Sequence, residues 1–101
     1  MDGQELAVTL TERFNSAQAA QFDGAFCIDT GTAQIAFTVS HGELATAPAD
    51  ADVDLTLYFH SAQEALELLT GNGDVIQAFM DGRFRSDGYL IWVFTLLAMF
   101  R

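Results

Sequence analysis

The hydrophobic period of this chain changes once, abruptly, near its middle. Residues 52–59, DVDLTLYF, alternate strictly: Val53, Leu55, Leu57 and Phe59 fall on one side, and Asp52, Asp54, Thr56 and Tyr58 on the other. A period of two is the geometry of a β-strand, and a clean apolar/polar alternation is that of a sheet with one covered and one wet face, typical of antiparallel pairing. Directly after it, Ser61 with Glu64 forms a capping box. Ala62, Ala65, Leu66 and Leu69 then recur at helical spacing until Gly71, which can stop the helix. A strand that must cover one face, followed by an amphipathic helix, commits the chain to sheet and helix packed around one core.

The remaining segments fit that plan. QELAVTLTERF at 4–14 places Leu6, Leu10 and Phe14 on one helical face, although the β-branched Thr9 and Thr11 leave LAVTLT open to a strand. Asn15 or Ser16 can cap a short turn at 17–20. Phe26 and Ile28 share one face of GAFCIDT. Ile35, Phe37 and Val39 alternate with Ala36, Thr38 and Ser40, and Gly31–Thr32 suits a hairpin between the two runs. His41–Gly42 turns the chain again, GELATA reads as a short strand, and Pro48 ends it or holds it at an edge. Asp74 can cap a short helix presenting Ile76, Phe79 and Met80. RFR at 83–85 reads as a brief strand, and 89–100 as a last helix. The predicted order is helix, three or four strands, two helices, strand, helix. This is α+β, one curved sheet with helices on its apolar face, in a single domain over residues 1–101.

Charge restricts the partners. Acidic residues outnumber basic ones fourteen to four, giving a net charge of −10 with no Lys at all. Nucleic-acid binding needs a basic face and is excluded on that ground; steady docking on anionic lipid is disfavoured by the same sign, leaving at most transient membrane contact. The N-terminus lacks a signal peptide's charged and apolar regions, so the expected location is cytoplasmic. Cys27 is the single cysteine and sits between Phe26 and Ile28, which reads as a buried structural thiol. Nine Phe in 101 residues is more aromatic bulk than a small core obviously needs. The excess can line a cavity, cover a partner surface, or simply fill the core.

Motifs for chemistry are weak. Asp50, Asp52 and Asp54 have the spacing that opens an EF-hand loop, but Leu55 stands where its glycine belongs and Ser61 where its last Glu belongs. His41 and His60 have no Cys or His at metal spacing and no nucleophile partner. GNGD at 71–74 lacks the form of a phosphate loop and reads as a helix stop followed by a helix start. No catalytic residue, metal or cofactor is assigned, and an enzyme is not expected.

The ordered set of features in the C-terminal half resembles the sterol carrier protein type-2 family. The carriers of the likeness are the acidic–apolar strand, then Leu68, Leu69, Thr70 and Gly71. Gln77, Ala78, Phe79, Met80, Gly82, Arg83 and Phe84 follow, then Gly88 and an apolar final helix. ERFNSAQAAQFDGAFCID is similar to the opening of short bacterial members. The resemblance implies a five-stranded, mainly antiparallel curved sheet covered on one face by helices. It also implies an apolar tunnel between the layers that binds sterol, fatty acid, acyl-CoA or an isoprenoid quinone precursor. The expected lining is Phe37, Leu55, Leu57, Leu69, Ile76, Phe79, Met80, Trp92 and Leu96, each of which can equally be plain core.

Two departures from that pattern stand out. Gly88–Tyr89 replaces the family's Gly-Asp before the last helix, so its N-cap carboxylate is displaced to Asp87 or lost. Between Leu90 and Phe100 the only polar residue is Thr95. A helix apolar all round should be covered all round, yet this one is far shorter than the ~20 residues that span a bilayer. A homodimer or a partner protein is expected to cover it through Tyr89, Val93, Phe94, Leu97 and Phe100. The alternative to a lipid carrier is accordingly an interaction module that keeps the fold with a filled tunnel.

Overall fold

A computed structural model describes residues 2–17, 23–48, 50–71, 74–88 and 90–100. The elements are α1 (Gly3–Arg13), β1 (Gly24–Asp29), β2 (Gln34–Ser40), β3 (Glu43–Ala47), β4 (Leu55–Phe59), α2 (Ala62–Thr70), α3 (Val75–Met80), β5 (Phe84–Ser86) and α4 (Leu90–Ala98). The five strands form one sheet in the order β3-β2-β1-β4-β5. Three pairings are antiparallel and one, β1 with β4, is parallel. The architecture is the expected α+β one, with a mixed sheet.

Register puts one continuous apolar face on the sheet. Phe26 lies between Phe37 and Leu55, Ile28 between Ile35 and Leu57, and Phe59 opposite Phe84. These side chains are buried except for the half-buried Ile35. Helices cover that face with their own apolar stripes: Leu6 and Leu10 from α1, Ala62, Ala65, Leu68 and Leu69 from α2, Ala78 from α3, and Val93, Leu96 and Leu97 from α4. Phe100 ends the chain's last turn in an aromatic group. Its ring packs edge-on to Phe14 at 5.9 Å and Phe26 at 6.2 Å, and Phe26 stacks on Phe37 at 5.3 Å. A second group joins Phe59, Phe84 and Phe79 at 5.5 Å spacings. Most of the aromatic excess in the sequence is therefore core.

Local chemistry sets the element ends. Asp2, Ser61 and Asp74 each accept a hydrogen bond from the backbone N–H three residues on, which caps α1, α2 and α3. The segment with the β-branched threonines is a helix, in which Thr9 and Thr11 donate back to the carbonyls of Glu5 and Ala7. His41 and Gly42 both take positive φ, as the two-residue turn between β2 and β3 requires. Asn15 Oδ1 accepts from Ala17 N at 3.1 Å, while the rest of the expected turn at 17–20 lies outside the described residues.

The expected strand 52–59 begins later, at Leu55. Asp54 ends the link from β3 instead: its N–H donates to the Ala25 carbonyl and its Oδ2 accepts from Ala25 N–H, both at 2.8 Å. Asp87, just past β5, does the same work on the other side of β4. Its Oδ1 accepts from Thr56 N–H at 2.6 Å and its N–H donates to the Thr56 carbonyl. The carboxylate expected to cap α4 therefore braces β4. Gly88 follows because the backbone passes so close to Leu55 that an added Cβ would stand 2.6 Å from the Leu55 Cβ. Gly88→Ala should destabilise the fold by about 1–3 kcal/mol, as overpacking does. A urea titration would read this as a lowered midpoint at unchanged slope.

Candidate ligand-binding site

The space between sheet and helices is apolar throughout. Among the described residues the single buried polar one is Thr30, at the β1–β2 turn, where its hydroxyl accepts from Ala33 N–H at 3.2 Å. Such an interior offers no group for acid–base work and no ligand for a metal. No cluster of three or more His, Cys, Asp or Glu able to hold an ion occurs among the described residues. The aspartate run is dispersed accordingly: Asp50 and Asp52 are exposed and Asp54 is committed to Ala25.

The structure divides the nine expected lining residues. Phe37, Leu55, Leu57, Leu69 and Leu96 are buried in the common core. Phe79 is half-buried against it, edge-on to Phe84. Ile76, Met80 and Trp92 are corrected: they are 56%, 75% and 39% exposed, so none lines the interior. On the six-residue α3 Ala78 turns fully inward with Val75 and Phe79 half-buried beside it, while Ile76 and Met80, two positions either side of Ala78, fall on the opposite face.

The expected contact face of α4 is corrected in the same way. Val93, Leu97 and Phe100, placed outside on sequence grounds, are buried to 1% or less, and Phe94 is half-buried against the core. Tyr89 lies outside the described residues. Residues 93, 96, 97 and 100 recur at i, i+3, i+4 and i+7, so they form the inner stripe. The outer side presents Ile91, 72% exposed, and Trp92. With Thr95 as its one polar residue, the helix gives the sequence little to choose its buried side by; the sequence assigned the stripe one position off.

Two surface clefts went unforeseen. One, of about 480 Å³, is lined by Asp54, Asp87, Gly88 and Trp92. The other, of about 330 Å³, lies between α1 and β3 and is lined by Gln4, Ala7, Val8, Thr11, Glu12 and Thr46. Nothing in the periodicity announces either, since each joins elements far apart in sequence.

Comparisons with solved structures place this architecture. The sec-alkylsulfatase Pisa1 from Pseudomonas sp. contains a matching region with a TM-score of 0.74 and 17% identity, over 90% of this chain and 15% of that chain. A double mutant of the same enzyme matches with a TM-score of 0.78 over 99% of this chain and 16% of that one, at 15% identity. The ubiquinone synthesis protein UbiJ-SCP2 matches with a TM-score of 0.68 and 14% identity, over 95% of this chain and 86% of that chain. Palmitated SCP2L2 from Aedes aegypti matches with a TM-score of 0.61 and 14% identity, over 100% and 96%. The chain thus has the SCP2-like fold, and spans about a sixth of the alkylsulfatase chains. No protein-family model and no curated protein sequence matches it.

Cys27 is 7% exposed on the opposite face of the sheet, between Ala36 and Thr56. Burial pushes its thiol above the ordinary value, and the carboxylates of Asp29 and then Asp87 push the same way. The folded state therefore keeps the proton that the unfolded state gives up above ~8.5. This contribution to stability is complete below ~8.5 and is lost as pH rises through the raised folded value. Chemical denaturation between neutral and alkaline pH should show that fall, and Cys27→Ala should remove it.

Proposed function

We propose that this chain is a lipid-binding domain, taking an apolar chain between the sheet and the helices and carrying or presenting it without chemical change. The observation that supports this most is the apolar interior layer, which receives hydrocarbon at about 25 cal/mol per Å² removed from water and, among the described residues, has one satisfied hydroxyl as its single buried polar side chain. The fold is shared with a palmitated protein and with a ubiquinone synthesis protein, and acyl or isoprenoid chains are the ligands this reading favours. Entry runs beneath α4, whose Val93, Leu96 and Leu97 roof the layer. The expected cytoplasmic location belongs to this reading; no helix among the described residues is long and apolar enough to cross a membrane.

Native mass spectrometry before and after organic extraction, with a fluorescent fatty acid titrated into the extracted protein, tests the proposal. The expected outcome is an apolar adduct lost on extraction and about one equivalent of probe bound at micromolar concentration. Absence of both an adduct and probe binding up to about 100 μM rejects it. Phe100→Leu should cost about 1–3 kcal/mol of stability yet tighten probe binding, because it vacates space under α4.

A second reading has its own support. Among the described residues many large side chains, Phe26, Phe37, Phe84, Phe100 and Met99 among them, are almost fully buried, as in a filled core. On this reading the domain is an interaction module, and α4 meets a second copy or a partner protein through Ile91 and Trp92 rather than through the inner stripe. Light scattering at micromolar concentration should show an assembly that Ile91→Glu dissociates; a wild-type monomer removes the homodimer.

A further inference from the structure

The free edge of the sheet at β3 carries a feature that ligand binding in the interior does not use. Ser40 and Glu43 flank the two-residue turn at His41–Gly42 and are opposite each other. In such a hairpin the flanking pair is hydrogen-bonded, and the bonded pairs then alternate. Ser40–Glu43, Thr38–Ala45 and Ala36–Ala47 are therefore the bonded pairs, while Val39–Leu44 and Phe37–Thr46 are not. The backbone N–H and C=O groups of Leu44 and Thr46 point away from β2, to the side where no further strand lies among the described residues. Neither group has a backbone partner among the described residues. Pro48 continues the same parity without an N–H and so closes the open edge.

The cleft of about 330 Å³ runs beside this edge, with Thr46 on one wall and Ala7, Val8, Thr11 and Glu12 of α1 on the other. Val8 is 54% exposed there. An added strand would alternate its side chains about the sheet. Those on the side of Leu44 and Thr46 would enter the cleft beside Ala7 and Val8. Those on the opposite side would lie by Glu43 and Ala45, on the face that carries Cys27. The cleft wall adds Glu12, and neither β3 nor the cleft contributes a cation.

We propose that β3 and α1 form a docking groove for an extended protein segment that alternates apolar and basic residues and adds as a sixth strand. The open edge supplies main-chain hydrogen bonds, the cleft an apolar row, and the acidic rim the preference for Lys or Arg. A second copy of this chain is disfavoured as occupant, because each copy carries a net charge of −10 and would set Glu43 against like charge.

The probe is a capped heptapeptide of alternating lysine and valine, added to ¹⁵N-labelled protein. The expected result is slowed amide exchange at Leu44 and Thr46, with shift changes confined to β3 and the Val8 side of α1. The same peptide N-methylated on alternate residues keeps its charge and apolar surface but loses the ladder, and should bind at least about tenfold more weakly. Val8→Lys, at an exposed position, should weaken binding to a similar extent, and a glutamate–valine peptide should not bind. Equal binding by a peptide with its lysines and valines segregated overturns the proposal, since charge alone then suffices. So do shift changes centred on Ile76, Met80 or Ile91, a small apolar ligand displacing the peptide from the cleft without any change at the Leu44 and Thr46 amides, protection of those amides that rises with protein concentration before peptide is added, and an absence of binding up to about 1 mM.

Discussion

The parallel pairing of β1 with β4 is the joint on which the rest of the molecule depends. The first three strands form an antiparallel meander that any local hairpin chemistry can build. The second half, from β4 onward, has its own strand, helices and brief fifth strand. Only the β1–β4 ladder makes them one sheet, and it must be closed across 25 residues of intervening chain between Asp29 and Leu55. Loop closure of that length is entropically costly before any contact repays it. The repayment is visible on both sides of the start of β4. Asp54 grips Ala25 with main chain and side chain together, and Asp87 grips Thr56 in the same way. Two aspartates that could suggest chemistry in a strongly acidic chain are thus used to hold a strand in register.

Register then fixes the core. Once Phe26 stands between Phe37 and Leu55, every second residue of all five strands faces the helices, and a slip by one would turn the whole apolar set to water. The helices need little specificity of their own to cover such a surface. Leu6 and Leu10, or Leu68 and Leu69, contribute area, and the aromatic group around Phe100 closes the end of the layer.

Legibility followed the strength of the periodic signal. Alternation at Val53–Phe59 and the capping box at Ser61 and Glu64 made strand and helix plain, and the turn residues Gly31 and Gly42 placed the hairpins. The parallel pair was not legible, because alternation reports which face is covered and not which neighbour is bonded. Asp87 was readable as a carboxylate near a helix start, but its use on Thr56 depends on a contact 31 residues away. The interior layer was legible as an apolar surface through Phe37, Leu55, Leu57, Leu69 and Leu96. Its limits were not: Ile76, Met80 and Trp92 have the same apolar character and lie outside. On α4 the absence of any polar face removed the one cue that separates inside from outside, and the stripe was assigned to the wrong rotation.

The attachment of α4 has a kinetic consequence. It is joined to the body mainly by apolar side chains, and just past it the Met99 carbonyl accepts from Asn15 N–H at 2.7 Å. No strand ladder passes through it. Lifting α4 therefore exposes the sheet face while every strand pairing stays intact, which is a sub-global opening rather than unfolding. For a ligand held beneath α4, as the proposed function has it, the residence time would be governed by how often that hatch opens, and could be tuned by the helix's outward residues without altering the layer below.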